Sequence, residues 1–113
     1  MFSYENQFSK YVEQVLIDDG HEIISINKPD KYNFRPDIIS KHKDILHISE
    51  VKFCLTKVEL YSAIGQLLIY SLGYPEQPIH LNIIAPRDNN TNAIIPEIRA
   101  ELTKRYNIYI WTI

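Results

Sequence analysis

The segment of residues 45–53 constrains the fold of this chain more than any other part of the sequence. It is nine residues long, and its apolar side chains fall on both faces of an extended strand instead of on every second position. A strand that faces water on one side alternates apolar and polar residues, whereas a strand covered on both sides does not. The pattern therefore predicts a central strand in a sheet that has helices on both faces.

An amphipathic helix precedes this strand near the start of the chain. Its apolar residues recur at i, i+3, i+4, i+7 and i+8, which places them on one helical face: Phe8, Tyr11, Val12, Val15 and Leu16. We predict Ser3 as the N-cap of this helix and Asp18-Asp19-Gly20 as its end.

A second helix follows the long strand. Thr56-Lys57-Val58-Glu59 fits a capping box, in which the Glu59 side chain reaches back to the Thr56 backbone N–H. The helix then continues to a stop at Gly73, with Pro75 beyond it, through four apolar residues: Tyr61, Ile64, Leu67 and Leu68.

The remaining elements complete a mixed sheet. Runs of β-branched and aromatic residues predict strands at residues 21–26, about 37–40, 79–85 and 108–113. A basic turn at residues 41–44 joins the second strand to the long one, and Pro96 opens a third helix. The order αβββαβαβ predicts an α/β fold, a mixed β-sheet flanked by helices.

Size and composition limit the possible classes of protein. The 113 residues support one domain, residues 1–113, and a hydrophobic content of 45% is typical of a folded globular chain. No apolar run approaches the ~20 residues of a membrane-spanning helix, and the single cysteine, Cys54, fits a reducing compartment. We therefore expect a cytoplasmic protein that does not engage a membrane. Proteins that bind long duplex DNA through charge alone are usually far more basic than this chain, whose net charge is −2. Any nucleic-acid role must therefore depend on a localised site.

Three polar residues fall near the predicted core. Asp37 starts the second strand, and Glu50 and Lys52 lie two apart near the end of the long strand, hence on one face. Because the turn makes these two strands antiparallel, we expect Asp37 to lie next to Glu50. Two carboxylates with a lysine beside them suit a hard divalent cation such as Mg²⁺, which prefers oxygen ligands.

These residues also resemble a known signature. Pro36-Asp37, twelve intervening residues and Glu50-Val51-Lys52 are similar to the motif of the PD-(D/E)xK nuclease superfamily. Gln66 and Tyr70, four apart on the following helix, resemble the pair on the corresponding helix of RecB-type nuclease domains. The resemblance covers most of the chain and implies the restriction-endonuclease-like fold of that superfamily.

The resemblance implies metal-dependent hydrolysis of phosphodiester bonds, with DNA as the expected substrate. It assigns Asp37, Glu50 and the backbone carbonyl of Val51 to Mg²⁺, with Mn²⁺ as a substitute. Lys52 then positions the attacking water, and Gln66 steadies the scissile phosphate or the metal-bound water.

The family often adds an acidic residue from the first helix, about three turns before the helix-ending glycine. Here that place falls near Ser9, with Glu5 one turn earlier and Glu13 one turn later. Glu5 continues the inward-facing stripe and is the preferred further metal ligand, with Glu13 as the alternative.

Each of these residues also has an ordinary structural explanation. Asp37 after a proline is typical of a turn, and Glu50 with Lys52 can form a solvated pair on an edge strand. Glu5 favours a helix N-terminus electrostatically whatever the function. The four histidines show no i, i+4 pairing and no cysteine partners, so we predict structural or exposed roles for them and not zinc ligation: His21, His42, His47 and His80.

Two main hypotheses of different classes remain, and a third, an antitoxin-like or purely structural oligomer, depends only on the apolar C-terminal strand. The leading hypothesis is a small Mg²⁺-dependent endonuclease, either in a restriction or mobile-element system or, second, in junction or flap cleavage like that of archaeal Holliday-junction resolvases. So small a catalytic core needs a homodimer or a partner subunit for affinity and specificity. The alternative is a non-catalytic module of the same fold that binds nucleic acid or protein inside a larger complex. DNA versus RNA, strandedness, endo or exo action and oligomeric state stay open.

Overall fold

The order of helices and strands predicted from the sequence is confirmed. A computed structural model describes residues 4–87 and 94–113. The elements are α1 (Glu5–Asp18), β1 (Glu22–Ile26), β2 (Ile38–His42), β3 (Ile45–Val51), α2 (Lys57–Ser71), β4 (Ile79–Ala85), α3 (Pro96–Tyr106) and β5 (Ile108–Thr112). This is the expected α/β order αβββαβαβ.

The five strands form one sheet in the order β1-β2-β3-β4-β5. The first three strands pair antiparallel, while β3 pairs parallel with β4 and β4 pairs parallel with β5. Helices α2 and α3 make the two crossovers that parallel neighbours require. The long strand β3 is therefore the central strand, as its two-sided apolar pattern predicted, and the edge-strand explanation for Glu50 and Lys52 is wrong.

Two hydrophobic layers cover the two faces of the sheet. On one face α1 packs its fully buried Phe8, Val12 and Leu16 against side chains of β2 and β4. On the other face of the sheet, α2 buries one of its sides against the strands, and α3 contributes Leu102 to the same hydrophobic cluster. The buried residues of α2 are Leu60, Ala63, Leu67 and Tyr70. Helix α2 thus lies directly over the end of β3 that carries the acidic residue Glu50.

The hairpin between β2 and β3 is tighter than predicted. Strand β2 extends to His42, so the turn contains only Lys43 and Asp44, with φ of 51° and 64°. Two consecutive residues with positive φ match the twist of antiparallel strands, which is why two-residue turns of this kind are favoured in hairpins. The β2–β3 ladder runs without a shift from His42↔Ile45 to Ile38↔Ser49.

Two helix ends also differ from the prediction. The Thr56 side chain accepts a hydrogen bond from the Glu59 backbone N–H at 3.2 Å, as predicted, but the Glu59 carboxylate pairs with Lys52 instead of reaching back to Thr56. The predicted N-cap Ser3 lies outside the described residues; α1 begins after Tyr4, whose side chain makes no capping bond. In the described part of the chain, no helix has the length and apolar character needed to cross a bilayer.

Candidate active site

The β2–β3 hairpin brings the two predicted carboxylates together. Because Ile38 pairs with Ser49, the preceding Asp37 lies opposite Glu50 at the open end of the hairpin. The Val51 backbone N–H donates a hydrogen bond of 2.8 Å to Asp37 Oδ2. This bond joins the two strands beyond their last ladder pair and fixes the Asp37 carboxylate beside Glu50.

Glu50 is the most deeply buried acid of the group, with 4% of its surface exposed. Its Oε1 atom is buried and has no hydrogen-bond partner among the described residues. Burial, followed by the neighbouring negative charge of Asp37, raises the pKa of Glu50 to about 7. Burial also raises the pKa of Asp37, against the opposing effects of the Val51 N–H and of Lys52. Two crowded carboxyl groups and a buried oxygen without a hydrogen-bond partner therefore favour a proton or a positive charge at this place.

Lys52 lies between two acidic side chains. Its Nζ is 3.5 Å from Glu50 Oε2 and 3.3 Å from Glu59 Oε2, and the lysine side chain is only 14% exposed. Glu59 was not predicted as a site residue, because its spacing from Thr56 explained it as part of a capping box. The structure shows that it anchors the lysine ammonium from the first turn of α2.

The two predicted residues of α2 occupy different surroundings. Tyr70 is buried, and burial together with the charges of Glu50 and Asp37 raises the pKa of its hydroxyl to about 12. Tyr70 therefore lies within the electrostatic field of the site. Gln66, one turn earlier, accepts a hydrogen bond of 3.3 Å from Ser62 on its own helix. The role assigned to Gln66 at the phosphate stays a prediction.

Helix α1 contributes the acidic residues Glu5 and Glu13 to the walls of two cavities at this end of the sheet. A cavity of about 400 Å³ is lined by Glu5, Ser9, Lys52 and Glu59, among others. A neighbouring cavity of about 320 Å³ is lined by Glu5, Ser9, Glu13 and Asp37, among others. Among residues 4–87 and 94–113, no group of three or more His, Cys, Asp or Glu side chains is arranged to hold a metal ion. Ligation by either helix residue therefore stays a prediction.

The four histidines form a cluster that sequence spacing did not reveal. The ring centroids of His21 and His42 are 4.7 Å apart, those of His21 and His47 are 4.6 Å apart, and those of His47 and His80 are 4.9 Å apart. Burial and the neighbouring histidines lower the pKa of His47 to about 4. The histidine rings pack against one another, which is a structural role of the kind predicted. His47 and His80 are neighbours because their positions pair across β3 and β4.

Comparison with known proteins supports a nuclease-like fold. No family model matches the chain, and no curated protein matches its sequence. A crystal structure of a repair endonuclease from Pyrococcus abyssi matches all of this chain with a TM-score of 0.66 at 14% identity. The match covers 48% of that endonuclease, so this chain spans about half its length. The shared fold is therefore that of an endonuclease, at a sequence distance where the fold alone is established.

Proposed function

We propose that this protein is a metal-dependent nuclease that hydrolyses phosphodiester bonds in nucleic acid, with DNA as its substrate. The observation that carries the proposal is the buried Glu50 Oε1 atom, which has no partner among the described residues and lies beside a second carboxylate. An unpaired buried acceptor next to a like charge is destabilising unless a proton or a cation satisfies it, and a metal ion would do so without protonation. The endonuclease-like fold adds independent support.

The donor set fits Mg²⁺, or Mn²⁺ in its place. Asp37 and Glu50 would hold the ion together with the backbone carbonyl of Val51, and Mg²⁺ in such sites usually keeps several waters as further ligands. A bound divalent ion supplies a Lewis acid that polarises the phosphate and lowers the pKa of water. Glu5 is the further ligand that this proposal favours.

The residues of the chain supply positioning and charge. Glu50 and Glu59 hold the Lys52 ammonium from two sides, so it is fixed as a hydrogen-bond donor beside the carboxylates. From that place it can orient an attacking water and stabilise negative charge that develops on the phosphate. The Val51 N–H holds the Asp37 carboxylate in place before substrate arrives.

A cleavage assay on a panel of substrates tests this proposal. Single strands, duplexes, flaps and four-way junctions of DNA and RNA are incubated with Mg²⁺ or Mn²⁺, with EDTA as the metal-free control. We expect the wild type to cut at least one of these substrates. Lys52→Ala and Asp37→Asn should abolish cutting while both variants stay folded. The exposed Lys57, on the first turn of α2, offers the matched control Lys57→Ala, which should cut like the wild type. Full activity of Lys52→Ala would contradict the mechanism.

One observation favours a second candidate, a non-catalytic binding module of the same fold. No third acidic, histidine or cysteine side chain in the described residues completes a metal cluster with Asp37 and Glu50. Such a module would show no cleavage on any substrate, and Asp37→Ala and Lys52→Ala would leave its binding and biological activity intact. Isothermal titration with Mg²⁺ and Mn²⁺ separates the two, because only the nuclease requires metal binding that depends on Asp37.

A homodimer or a partner subunit would supply specificity in this proposal. Helix α2 supports this part of the proposal, since it leaves apolar residues in water: Val58 is 71%, Tyr61 66% and Leu72 64% exposed. Residues 60–75 contain no charged side chain. Light scattering at several protein concentrations would measure the oligomeric state.

A further inference from the structure

The loop that joins β1 to β2, residues 27–36, exposes large aromatic rings among basic side chains. Tyr32 is 54% and Phe34 43% exposed. Lys28, Lys31 and Arg35 are exposed beside them. Exposed aromatic rings are costly in water, so a group of them on one short loop indicates a binding surface. Nothing in the proposed hydrolysis reaction uses these residues.

Asp30 holds this loop in one conformation. Its Oδ1 accepts hydrogen bonds from the backbone N–H groups of Tyr32 and Phe34, each at 2.9 Å. Its own N–H donates to the Phe34 carbonyl at 2.7 Å, and the Asn27 N–H closes the base of the loop by donating to the Asp37 carbonyl at 2.8 Å. The rings are therefore presented to solvent by a fixed backbone, which lowers the entropy cost of binding a partner.

The loop is adjacent to the candidate active site. Phe34 lies three residues before Asp37, so their Cα atoms are at most about 10 Å apart along the chain. The Phe34 ring centroid is 6.4 Å from that of Tyr70, a buried residue of α2. A strand bound on the loop would therefore lie close to the site.

The charge of the loop identifies the class of partner. The three cations of the loop outnumber its one carboxylate. Asp30 Oδ1 accepts both backbone N–H bonds, whereas Asp30 Oδ2 is buried and has no hydrogen-bond partner among the described residues. The loop is thus locally basic in a chain of net charge −2. The Lys31 ammonium lies 5.3 Å from the centre of the Tyr32 ring, so a phosphate contact and a stacking surface are side by side.

Cations interleaved with exposed rings match an unpaired nucleotide strand, whose backbone is anionic and whose bases offer free faces for stacking. In a duplex those faces are already stacked within the helix. We propose that residues 27–36 bind single-stranded DNA beside the scissile bond, so that the substrate is a single strand or the single-stranded arm of a branched DNA. This inference rests on the proposed nuclease function and specifies its substrate.

Binding measured without catalysis tests the inference. Fluorescence anisotropy in EDTA follows a labelled DNA oligonucleotide as a single strand, as a duplex, and as a single-stranded RNA of the same sequence. We expect preference for single-stranded DNA, and a loss of about fivefold or more in affinity for each of Tyr32→Leu and Phe34→Leu, because a leucine cannot stack on a base. Lys31→Ala and Arg35→Ala should reduce the salt dependence of binding.

The control is a tyrosine of similar exposure on another element. Tyr106, at the end of α3, is 51% exposed, and Tyr106→Leu should bind like the wild type. Thermal melts of every variant verify folding. Because the substituted positions are exposed, we expect every variant to fold.

The outcomes separate the two proposals. Loss of single-strand binding in the loop variants, with no cleavage of any substrate, would support the loop and overturn the nuclease. Cleavage that is lost in Lys52→Ala, with loop variants that bind and cut like the wild type, would support the nuclease and overturn the loop. A preference for duplex, no binding at all, or tighter binding of the RNA strand would each overturn the assignment to single-stranded DNA.

Discussion

Replacing Glu50 by glutamine should stabilise the metal-free protein at alkaline pH. The pKa of Glu50 is raised from its ordinary 4.5 to about 7, because the side chain is buried beside Asp37. The folded protein therefore holds a proton that the unfolded chain releases, so its stability is complete below pH 4.5 and falls as the pH rises through about 7. At about 1.4 kcal/mol for each unit of pKa, the ionised carboxylate costs about 3 kcal/mol above that range.

The expected gain is smaller than this cost, since Asp37 titrates together with Glu50 and shares the repulsion. We expect Glu50→Gln to raise the free energy of unfolding by about 2 kcal/mol at pH 8, or about 8 °C in Tm for a chain of this size. The assay is urea and thermal unfolding in EDTA from pH 4.5 to pH 8. The difference between the variant and the wild type should shrink toward zero near pH 4.5, where Glu50 is neutral in both states.

A matched control and a refuting result follow from the same reasoning. Glu76 is exposed, so Glu76→Gln should leave the free energy of unfolding at pH 8 close to that of the wild type. Equal stability of Glu50→Gln and wild type at pH 8, or a loss that does not change with pH, would refute the idea that the buried carboxylate is strained by burial and by its neighbour.

Four further outcomes are expected. The pKa of His47 is lowered to about 4, so its contribution to stability is full above pH 6.5 and falls by about 3 kcal/mol toward pH 4, a slope that His47→Gln should flatten in urea titrations. Phe8 is fully buried, and Phe8→Ala should cost about 3–5 kcal/mol by the same measurement. Millimolar Mg²⁺ should raise the Tm of the wild type but not of Asp37→Asn, since ligand binding to the folded state alone is stabilising. Asp44 has a φ of 64°, so Asp44→Gly should be neutral or stabilising by up to about 1 kcal/mol in thermal melts.

Local patterns predicted the parts of the site that lie on one hairpin. The spacing of Asp37, Glu50 and Lys52 at the ends of two adjacent strands was enough to place them together, because pairing of neighbouring strands follows from the turn between them. The contact of Lys52 with Glu59 was not predictable in this way, since it depends on the position of the first turn of α2 relative to the end of β3. The same holds for the histidine cluster, whose members come from four strand regions and meet only through sheet register.

The two-residue turn at Lys43 and Asp44 has a consequence for the opposite end of the hairpin. The ladder from His42↔Ile45 to Ile38↔Ser49 separates the turn from the carboxylates by roughly 17 Å at about 3.4 Å per residue. Since side chains alternate between faces, one inserted residue at the turn that shifts the β2–β3 register would move Glu50 to the face covered by α1 and leave Asp37 without its neighbour. The length of a surface turn therefore decides whether two acids meet inside the protein, and an insertion there would separate the two carboxylates without changing either residue.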